Sequence, residues 1–148
     1  MRVREIMTAN LVCASPDTPL QEVARMMVDN DCGGVPVCEP TTKRLVGFVT
    51  DRDIVCRTLA RGINSLDKTA QDVMTTNLHT IGPDSSVEDC LQMMERFQVR
   101  RMPVIEGDYR IIGIVSQADL ARHAVDHTEL REELEEALEQ ISEPRIAI

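Results

Sequence analysis

The pattern of apolar and polar positions predicts a unit of strand, helix, two strands and helix in the first half of the chain. Residues 11–14 are a short apolar run bounded by polar residues and proline, as in a buried strand. Apolar residues then recur at helical spacing over 20–27. The apolar runs 35–38 and 45–49 flank a polar stretch and therefore predict a hairpin. A second helix is expected from Thr50 to about Leu59.

The same unit is predicted a second time, because the chain repeats itself. Val-Arg-Glu-Ile-Met-Thr-Ala-Asn-Leu at 3–11 returns as Ala-Gln-Asp-Val-Met-Thr-Thr-Asn-Leu at 70–78. Leu-Val-Gly-Phe-Val-Thr at 45–50 returns as Ile-Ile-Gly-Ile-Val-Ser at 111–116, and one residue of slippage in the turn at 39–44 aligns the halves. Two copies are too few for a solenoid, which needs about three repeats. The sequence therefore predicts an α+β fold in which two pseudo-two-fold related β-α-β-β-α repeats pack as one module.

The repeat divides the chain into three segments. We place repeat 1 at residues 1–66, repeat 2 at 67–125, and an acidic C-terminal helix and tail at 126–148. The last segment carries a narrow apolar stripe at helical spacing, formed by Leu130, Leu134, Leu138 and Ile141. The stripe predicts a helix that docks on the body or on a partner. A solvated terminal helix without a ligand role is the alternative.

Prolines and capping residues predict where the elements begin. Asp17 and Thr18 are candidate N-caps of the first helix, and its copy over 85–97 begins at a serine. Pro36 and Pro103 cannot donate a ladder hydrogen bond, which predicts a position at a sheet edge or a strand start. A ligand can approach such an edge.

The charge of the chain is concentrated near its C-terminal end. The formal net charge is −9, and residues 126–143 alone hold eight acidic side chains against one basic side chain. The nearly neutral body argues against nonspecific binding to nucleic acid or to an anionic membrane, because both depend on basic patches. No apolar run reaches the length of about 18 residues that spans a membrane, and no signal peptide is evident. We therefore expect a cytoplasmic protein with neither nucleic-acid nor membrane partners.

The five cysteines do not form a recognisable framework. An odd number scattered through predicted strands and helices indicates reduced, mostly buried thiols. Cys32 and Cys38 are separated by five residues and could hold zinc with a histidine, or bridge under oxidation. The spacing differs from the C-x2-C of a strong zinc site, so we predict no metal.

Three motifs occur in both halves and carry a resemblance to a known family. They are a turn ending in Met-Thr, a strand of the form hydrophobic-Pro-Val, and Gly-x-Val-(Thr/Ser)-x-x-Asp after the last strand. With these motifs the chain resembles tandem CBS domains, the pair often called a Bateman module, over about residues 2–125, in its small stand-alone prokaryotic form. The resemblance implies that AMP, ADP or ATP binds in clefts between the repeats, with NAD(H) and S-adenosylmethionine as further candidates. It implies no catalysis and no required cofactor.

The resemblance assigns the aspartate of the last motif to ribose and the hydroxyl residue to phosphate. Those residues are Asp53 and Asp119, with Thr50 and Ser116. An ionised carboxylate only accepts hydrogen bonds and is able to take both hydroxyls of a ribose. The same residues also fit a capping box, with a hydroxyl N-cap and an acid three residues later. Capping and ligand binding therefore both stay open.

The two predicted clefts are not equivalent. Arg100 and Arg101 are similar to the basic pair that faces nucleotide phosphates in several such modules, and their counterparts are Gly33 and Gly34. Guanidinium groups supply forked donors for phosphate, so we expect one cleft to bind phosphorylated adenosine well and the other to be weaker, empty or occupied by a less charged ligand. Alternatively, both arginines are solvated residues after a helix. The remaining predicted pocket-lining residues are Thr8, Val12, Val35, Pro36, Thr75, Thr80, Met102 and Pro103.

The sequence predicts a binding and sensing module rather than an enzyme. No nucleophile elbow, Walker loop or dinucleotide Gly-x-Gly-x-x-Gly occurs in it. We expect an adenine nucleotide as ligand, a homodimer paired through its helices, and a protein partner that responds to a ligand-dependent change of shape. Two alternatives stay open. One is a redox- or zinc-responsive scaffold in which Cys13, Cys32 or Cys38 changes state, and the other is a constitutive interaction protein whose acidic C-terminal helix docks a partner.

Overall fold

The computed structural model describes residues 1–124 and 128–142, which form seven α-helices, four β-strands and two short 3-10 turns. In chain order the helices and strands are α1 (Val3–Ile6), α2 (Leu20–Asp29), β1 (Gly34–Cys38), β2 (Leu45–Thr50), α3 (Asp51–Arg57), α4 (Ala70–Val73), α5 (Val87–Phe97), β3 (Arg101–Glu106), β4 (Arg110–Ser116), α6 (Gln117–Ala124) and α7 (Thr128–Ser142). The predicted α+β class is confirmed. Residues 125–127 and 143–148, which the predicted second repeat and acidic tail include, lie outside the described residues.

The chain divides into two compact units. Unit 1 contains Met1–Leu11, His79–Glu106 and the described residues from Ile112 onward, and unit 2 contains Val12–Leu78 and Gly107–Ile111. The strands pair as β1 with β2 and β3 with β4, as the two predicted hairpins require. The first eleven residues belong with the second repeat in this division. The repeat boundaries inferred from the sequence divide the chain differently and stay a prediction.

The predicted first strand of each repeat is reduced to a single bridging residue. In unit 2 the Ala14 N–H donates to the Pro36 carbonyl (2.9 Å), and the Ala14 carbonyl accepts from the Cys38 N–H (2.8 Å). In unit 1, Ile81 bridges Val104 in the same parallel way. The apolar run 11–14 and its counterpart 78–81 in the second repeat were predicted to be whole strands. That prediction is wrong, because only one residue of each run pairs with a strand.

Prolines explain why the bridges do not extend. In a parallel ladder every second residue bonds, so the next donors would be the N–H groups of residues 16 and 36. Both are prolines and have no N–H, and Pro83 and Pro103 occupy the corresponding positions of unit 1. Pro36 is the third residue of β1, and its backbone groups point away from β2, toward Ala14. Because β1 and β2 form a two-stranded sheet, this is the predicted sheet edge, which the single Ala14 bridge crosses.

For the first long helix of each repeat, α2 and α5, the predicted side-chain cap is present only at α5. Ser86 caps α5, because its side chain accepts from the Asp89 N–H at 3.0 Å. The prediction of Asp17 or Thr18 as the cap of α2 is wrong, since the N-cap is Pro19 and no side chain caps it. The Thr18 hydroxyl instead accepts from the Ser15 N–H at 2.9 Å and closes the preceding turn.

Each unit has its own apolar core. In unit 2, α2 and α4 bury Leu20, Val23 and Val73 against β1 and β2. In unit 1, α7 is part of the core and packs against α5 and α6. The C-terminal helix is therefore docked on the body of unit 1, and the expectation of a solvated terminal helix is wrong. The α7 residues buried in this contact are Leu130, Leu134, Ala137 and Ile141.

Candidate functional site

The CBS-like motif in unit 2 forms a capping box at the start of α3. The Thr50 hydroxyl accepts from the Asp53 N–H, and Asp53 Oδ2 accepts from the Thr50 N–H, both at 3.0 Å. The predicted cap is therefore present. The other carboxylate oxygen, Oδ1, lies 3.8 Å from the Arg57 guanidinium, which donates to the Val73 carbonyl at 2.6 Å. The Asp53 side chain is 17% exposed.

The same motif in unit 1 forms the same box at the start of α6, with additional contacts. Asp119 Oδ2 accepts from the Ser116 N–H (2.9 Å) and the Ser116 hydroxyl (3.0 Å). Oδ1 accepts from the Arg122 guanidinium and from the Thr8 hydroxyl (3.4 Å). The Asp119 side chain is only 5% exposed.

The two aspartates therefore differ in their capacity to accept a ligand. A carboxylate has about four acceptor positions, and four donors already reach Asp119. Asp53 accepts one backbone N–H, and its charged neighbour Arg57 is beyond hydrogen-bond distance. Asp53 is the carboxylate that is able to accept ribose hydroxyls without losing a contact that it already makes.

A glycine and a methionine hold the neighbouring threonine in place in each unit. Thr8 forms an antiparallel bridge with Ile114, with hydrogen bonds of 2.9 and 3.0 Å, and the residue before it, Met7, covers Gly113. A Cβ atom at Gly113 would collide with the Met7 side chain. This contact explains why the Gly of the last motif and the Met-Thr of the first occur together, and sequence reasoning missed it.

Unit 2 repeats this arrangement with one difference. Thr75 bridges Phe48 at 2.9 and 3.0 Å, and Met74 covers Gly47. Within the described residues no hydrogen bond joins the Thr75 hydroxyl to Asp53, whereas the Thr8 hydroxyl reaches Asp119. The threonine of the first motif thus contributes to saturating the carboxylate in unit 1 only.

The predicted phosphate-binding pair lies next to the start of α6. The Arg100 carbonyl accepts from the Gln117 N–H at 3.2 Å, and Gly33 accepts from the Asp51 N–H at 3.0 Å in unit 2. Arg100 is exposed, and Arg101 is half-buried at the first position of β3. Among the side chains that the structure describes, neither guanidinium takes part in an ion pair. Their placement matches Gly33 and Gly34 as predicted.

Two polar groups near this pair were not singled out from the sequence. The Gln117 side-chain amide nitrogen is buried and has no hydrogen-bond partner in the described part of the chain. Arg122 holds Asp119 from one turn further along α6. Helical spacing after the motif is the signal that could have identified Arg122, because residues three apart lie on one face.

The other predicted lining residues fall into two groups. Val35 and Met102 are fully buried in the cores of their own units, and Pro36 and Pro103 are buried beside them. The remaining four are more accessible, with Thr8 exposed and three half-buried: Val12, Thr75 and Thr80. Accessible hydroxyl groups therefore come mainly from the Met-Thr motif and from residue 80.

The cysteines are less buried than predicted, because only Cys38 and Cys90 are fully buried. Cys38 is buried and lines one cavity together with Cys13, while Cys32 is exposed. Among the residues that the structure describes, no group of three or more His, Cys, Asp or Glu side chains could hold a metal ion. None of the described helices is long and apolar enough to cross a membrane.

Comparison with known families identifies the duplicated unit. The family model for the CBS domain matches the chain twice, over residues 3–57 and 70–126. The chain therefore belongs to the CBS-domain family and carries two copies of the domain, which confirms the resemblance drawn from its motifs.

Relatives of known sequence and structure support the same assignment. Hypoxic response protein 1 of Mycobacterium tuberculosis is 38% identical over 124 residues, which cover 84% of this chain and 85% of the relative. A crystal structure of Hypoxic Response Protein I with two coordinated zinc ions aligns with a TM-score of 0.74 and 37% identity, over 83% of this chain and 98% of that one. The CBS domain pair of protein MJ0100, solved with 5′-methylthioadenosine and S-adenosyl-L-methionine, aligns with a TM-score of 0.75 over 85% and 97% of the two chains. Its identity of 24% makes this a likeness of fold alone.

Proposed function

We propose that the chain is a regulatory module that binds an adenosine nucleotide, performs no catalysis, requires no cofactor, and acts on a partner through a ligand-dependent change of shape. The observation that carries the proposal is Asp53, the aspartate of the CBS motif, which keeps free acceptor capacity beside its capping bond. Membership of the CBS family supports a sensing role. The MJ0100 pair, which shares the fold, was solved with adenosine derivatives.

In unit 2 the proposed ligand is an adenosine compound of low charge. Asp53 Oδ1 is the group that accepts the ribose hydroxyls, because Oδ2 is used by the cap. Gly33 and Gly34 offer no charged side chain for a phosphate chain. AMP or S-adenosylmethionine fits these groups better than ATP does.

In unit 1 the proposed ligand is a more highly phosphorylated nucleotide. Arg100 and Arg101 supply forked donors beside the start of α6, and the buried Gln117 amide adds a further donor without a partner in the described residues. ADP, ATP and the pyrophosphate of NAD(H) share the required chemistry. A ribose hydroxyl is able to reach Asp119 Oδ1 only if Thr8 or Arg122 releases it.

That release supplies a physical basis for the change of shape. Phosphate oxygens compete with Asp119 for the Arg122 guanidinium, while the ribose hydroxyls take the place that Arg122 leaves. The ligand then favours a conformation of α6 and of the Thr8 segment that differs from the ligand-free one. A partner that contacts either element would detect the difference.

Exposed apolar residues of unit 2 support the proposed homodimer. Four large apolar side chains of this unit are exposed: Val28 on α2, Val55 on α3, and Leu59 and Leu66 in the two 3-10 turns after α3. Where exposed apolar side chains of this size form one patch, another chain typically covers them. We propose a second copy as that chain, paired through its helices, and we retain a cytoplasmic location as part of the proposal. Analytical ultracentrifugation of wild type and Val55→Glu tests the dimer.

A thermal-shift series tests the nucleotide proposal. AMP, ADP, ATP, NADH and S-adenosylmethionine are added to wild type, Asp53→Ala and Asp119→Ala. A ligand at a hundred times its dissociation constant stabilises by about 2.7 kcal/mol, which corresponds to a rise in Tm of roughly 5 to 10 °C for a chain of this size. We expect the AMP shift to be lost in Asp53→Ala. No shift with any of the five ligands would contradict the proposal.

A further inference from the structure

Two thiols line a single cavity in unit 2. The cavity measures about 250 Å³ and is bordered by Cys13, Cys38, Glu39 and Lys43 among others. Cys13 directly precedes Ala14, the residue that bridges β1, and Cys38 is the last residue of β1 and donates its own N–H to the Ala14 carbonyl at 2.8 Å. The backbone bridge therefore places both cysteines at the wall of the same cavity.

The contact between the thiols gives them different chemical roles. The Cys38 thiol donates a hydrogen bond to the Cys13 sulfur, which lowers the pKa of Cys13 to about 7, against the opposing effect of burial and with a smaller contribution from the Lys43 ammonium. The shared hydrogen bond and burial raise the pKa of Cys38. The hydrogen bond therefore favours the thiolate form of Cys13 over that of Cys38, and a thiolate is the nucleophilic form of cysteine.

The acidic groups around the cavity do not cancel this effect. Glu39 lies on the cavity wall, but its carboxylate accepts from the Thr42 N–H (2.6 Å) and the Thr42 hydroxyl (2.7 Å). These two donors in the turn partly neutralise its negative charge. Glu22 is the second carboxylate of the wall, and the Lys43 cation belongs to the same lining. By contrast, burial alone raises the pKa of Cys90 to about 12.

We propose that Cys13 and Cys38 form a reversible redox pair, in which Cys13 reacts with a hydroperoxide that enters the cavity and Cys38 closes a disulfide. In the first step the Cys13 thiolate attacks the terminal peroxide oxygen, the O–O bond breaks, and the leaving hydroxide or alkoxide takes a proton. In the second step Cys38 attacks the sulfur of the Cys13 sulfenic acid, the S–O bond breaks, and water leaves. The two thiols lose two electrons and two protons, and the hydroperoxide is reduced to water and an alcohol, or to two waters.

The disulfide would fix the segment before Ala14 to β1 covalently. That segment contains Val12, and β1 contains Val35 and Pro36, all of which are predicted to line the unit 2 site. The thiol chemistry does not depend on nucleotide binding, because neither cysteine is among the groups proposed to hold the ligand. Failure of either proposal leaves the other standing.

Peptide mapping of the full chain tests the proposal. Trypsin releases Cys13 in residues 5–25, but it leaves Cys32 and Cys38 together in residues 26–43. The experiment therefore uses Cys32→Ser, which replaces an exposed side chain and makes a link between the two peptides specific for Cys38. After treatment with about one equivalent of hydrogen peroxide, we expect this linked peptide as the main product, two fewer free thiols, and reversal by dithiothreitol.

Two further variants in the Cys32→Ser background separate the steps. Cys38→Ser should stop Cys13 at the sulfenic acid, which dimedone traps, and Cys13→Ser should slow thiol oxidation about tenfold or more because the thiolate is lost. Cys56→Ser removes a different exposed thiol and should leave the linked peptide unchanged. Oxidation of Cys56 before Cys13, or conversion of Cys13 to a sulfinic acid without the linked peptide, would overturn the proposal.

Discussion

Units 1 and 2 carry the same motif at the start of α6 and α3, yet the two motifs are chemically different. Both form the capping box, but Asp119 also accepts from Arg122 and Thr8, whereas Asp53 Oδ1 lies 3.8 Å from Arg57 and accepts no further side-chain donor within the described residues. Residues outside the motif cause the difference, since Arg122 corresponds to Cys56 in the other repeat and Arg57 corresponds to His123. A duplicated motif therefore conserves the backbone arrangement without conserving the capacity to bind.

The helices that follow these motifs differ in a second way. In unit 1, α7 covers α5 and α6, and Leu91 and Leu120 are buried. The corresponding residues of unit 2, Ala24 and Ile54, are only half-buried, and no described helix covers α2 and α3 as α7 covers α5 and α6. Unit 1 completes its own apolar core, while unit 2 leaves apolar surface available.

The largest expected effect is on the free energy of unfolding, when a side chain at equivalent positions of α6 and α3 is truncated to alanine. Leu120→Ala removes a fully buried side chain and should lower the free energy of unfolding by about 2–5 kcal/mol. Ile54→Ala removes a half-buried side chain and should cost about half as much. Urea denaturation measures both. Equal losses would show that the two helices are equally buried in solution.

A second pair of variants tests the cover that α7 provides. Leu134→Ala should cost about 2–4 kcal/mol because Leu134 is buried against the core of unit 1. Glu136→Ala, two residues later on the exposed side of α7, should stay within about 0.5 kcal/mol of wild type. Thermal denaturation of the two variants is sufficient, and a small effect of Leu134→Ala would contradict the docked position of α7.

The smallest expected effect concerns the arginine that saturates Asp119. Arg122→Gln removes a charged competitor for Oδ1, so adenosine, which has no phosphate, should bind unit 1 about fivefold more tightly, equivalent to about 1 kcal/mol. Arg57→Gln is the matched control, because Arg57 lies beyond hydrogen-bond distance of Asp53. Isothermal titration with adenosine compares them, and unchanged affinity in Arg122→Gln would mean that Asp119 is accessible already.

Sequence reasoning predicted most elements because the repeat presents each pattern twice. The hairpins, the helices after them and the capping residues Thr50 and Ser116 follow from local patterns. The length of the first strands did not follow. It depends on pairing with β1 and β3, in which Pro36 and Pro103 have no N–H to donate to residues before Ala14 and Ile81. The saturation of Asp119 was equally hidden, because Thr8 lies 111 residues away in the chain.

The cysteine pair shows the same limit. Proximity in sequence suggested Cys32 and Cys38, but the parallel bridge at Ala14 places Cys13 and Cys38 at one cavity wall instead. Pairing between strands decides such a contact, and no spacing rule within one segment reports it.

Titration calorimetry with AMP and 2′-deoxy-AMP, on wild type, Asp53→Asn and Asp119→Asn, decides whether Asp53 is the ribose acceptor. Removing one ribose hydroxyl should weaken binding to wild type about tenfold, since a hydrogen bond to a charged acceptor is worth roughly 1.5 kcal/mol. We predict that this discrimination disappears in Asp53→Asn and persists in Asp119→Asn. Discrimination that persists in Asp53→Asn, or that is lost only in Asp119→Asn, would contradict the assignment of ribose to the open carboxylate of unit 2.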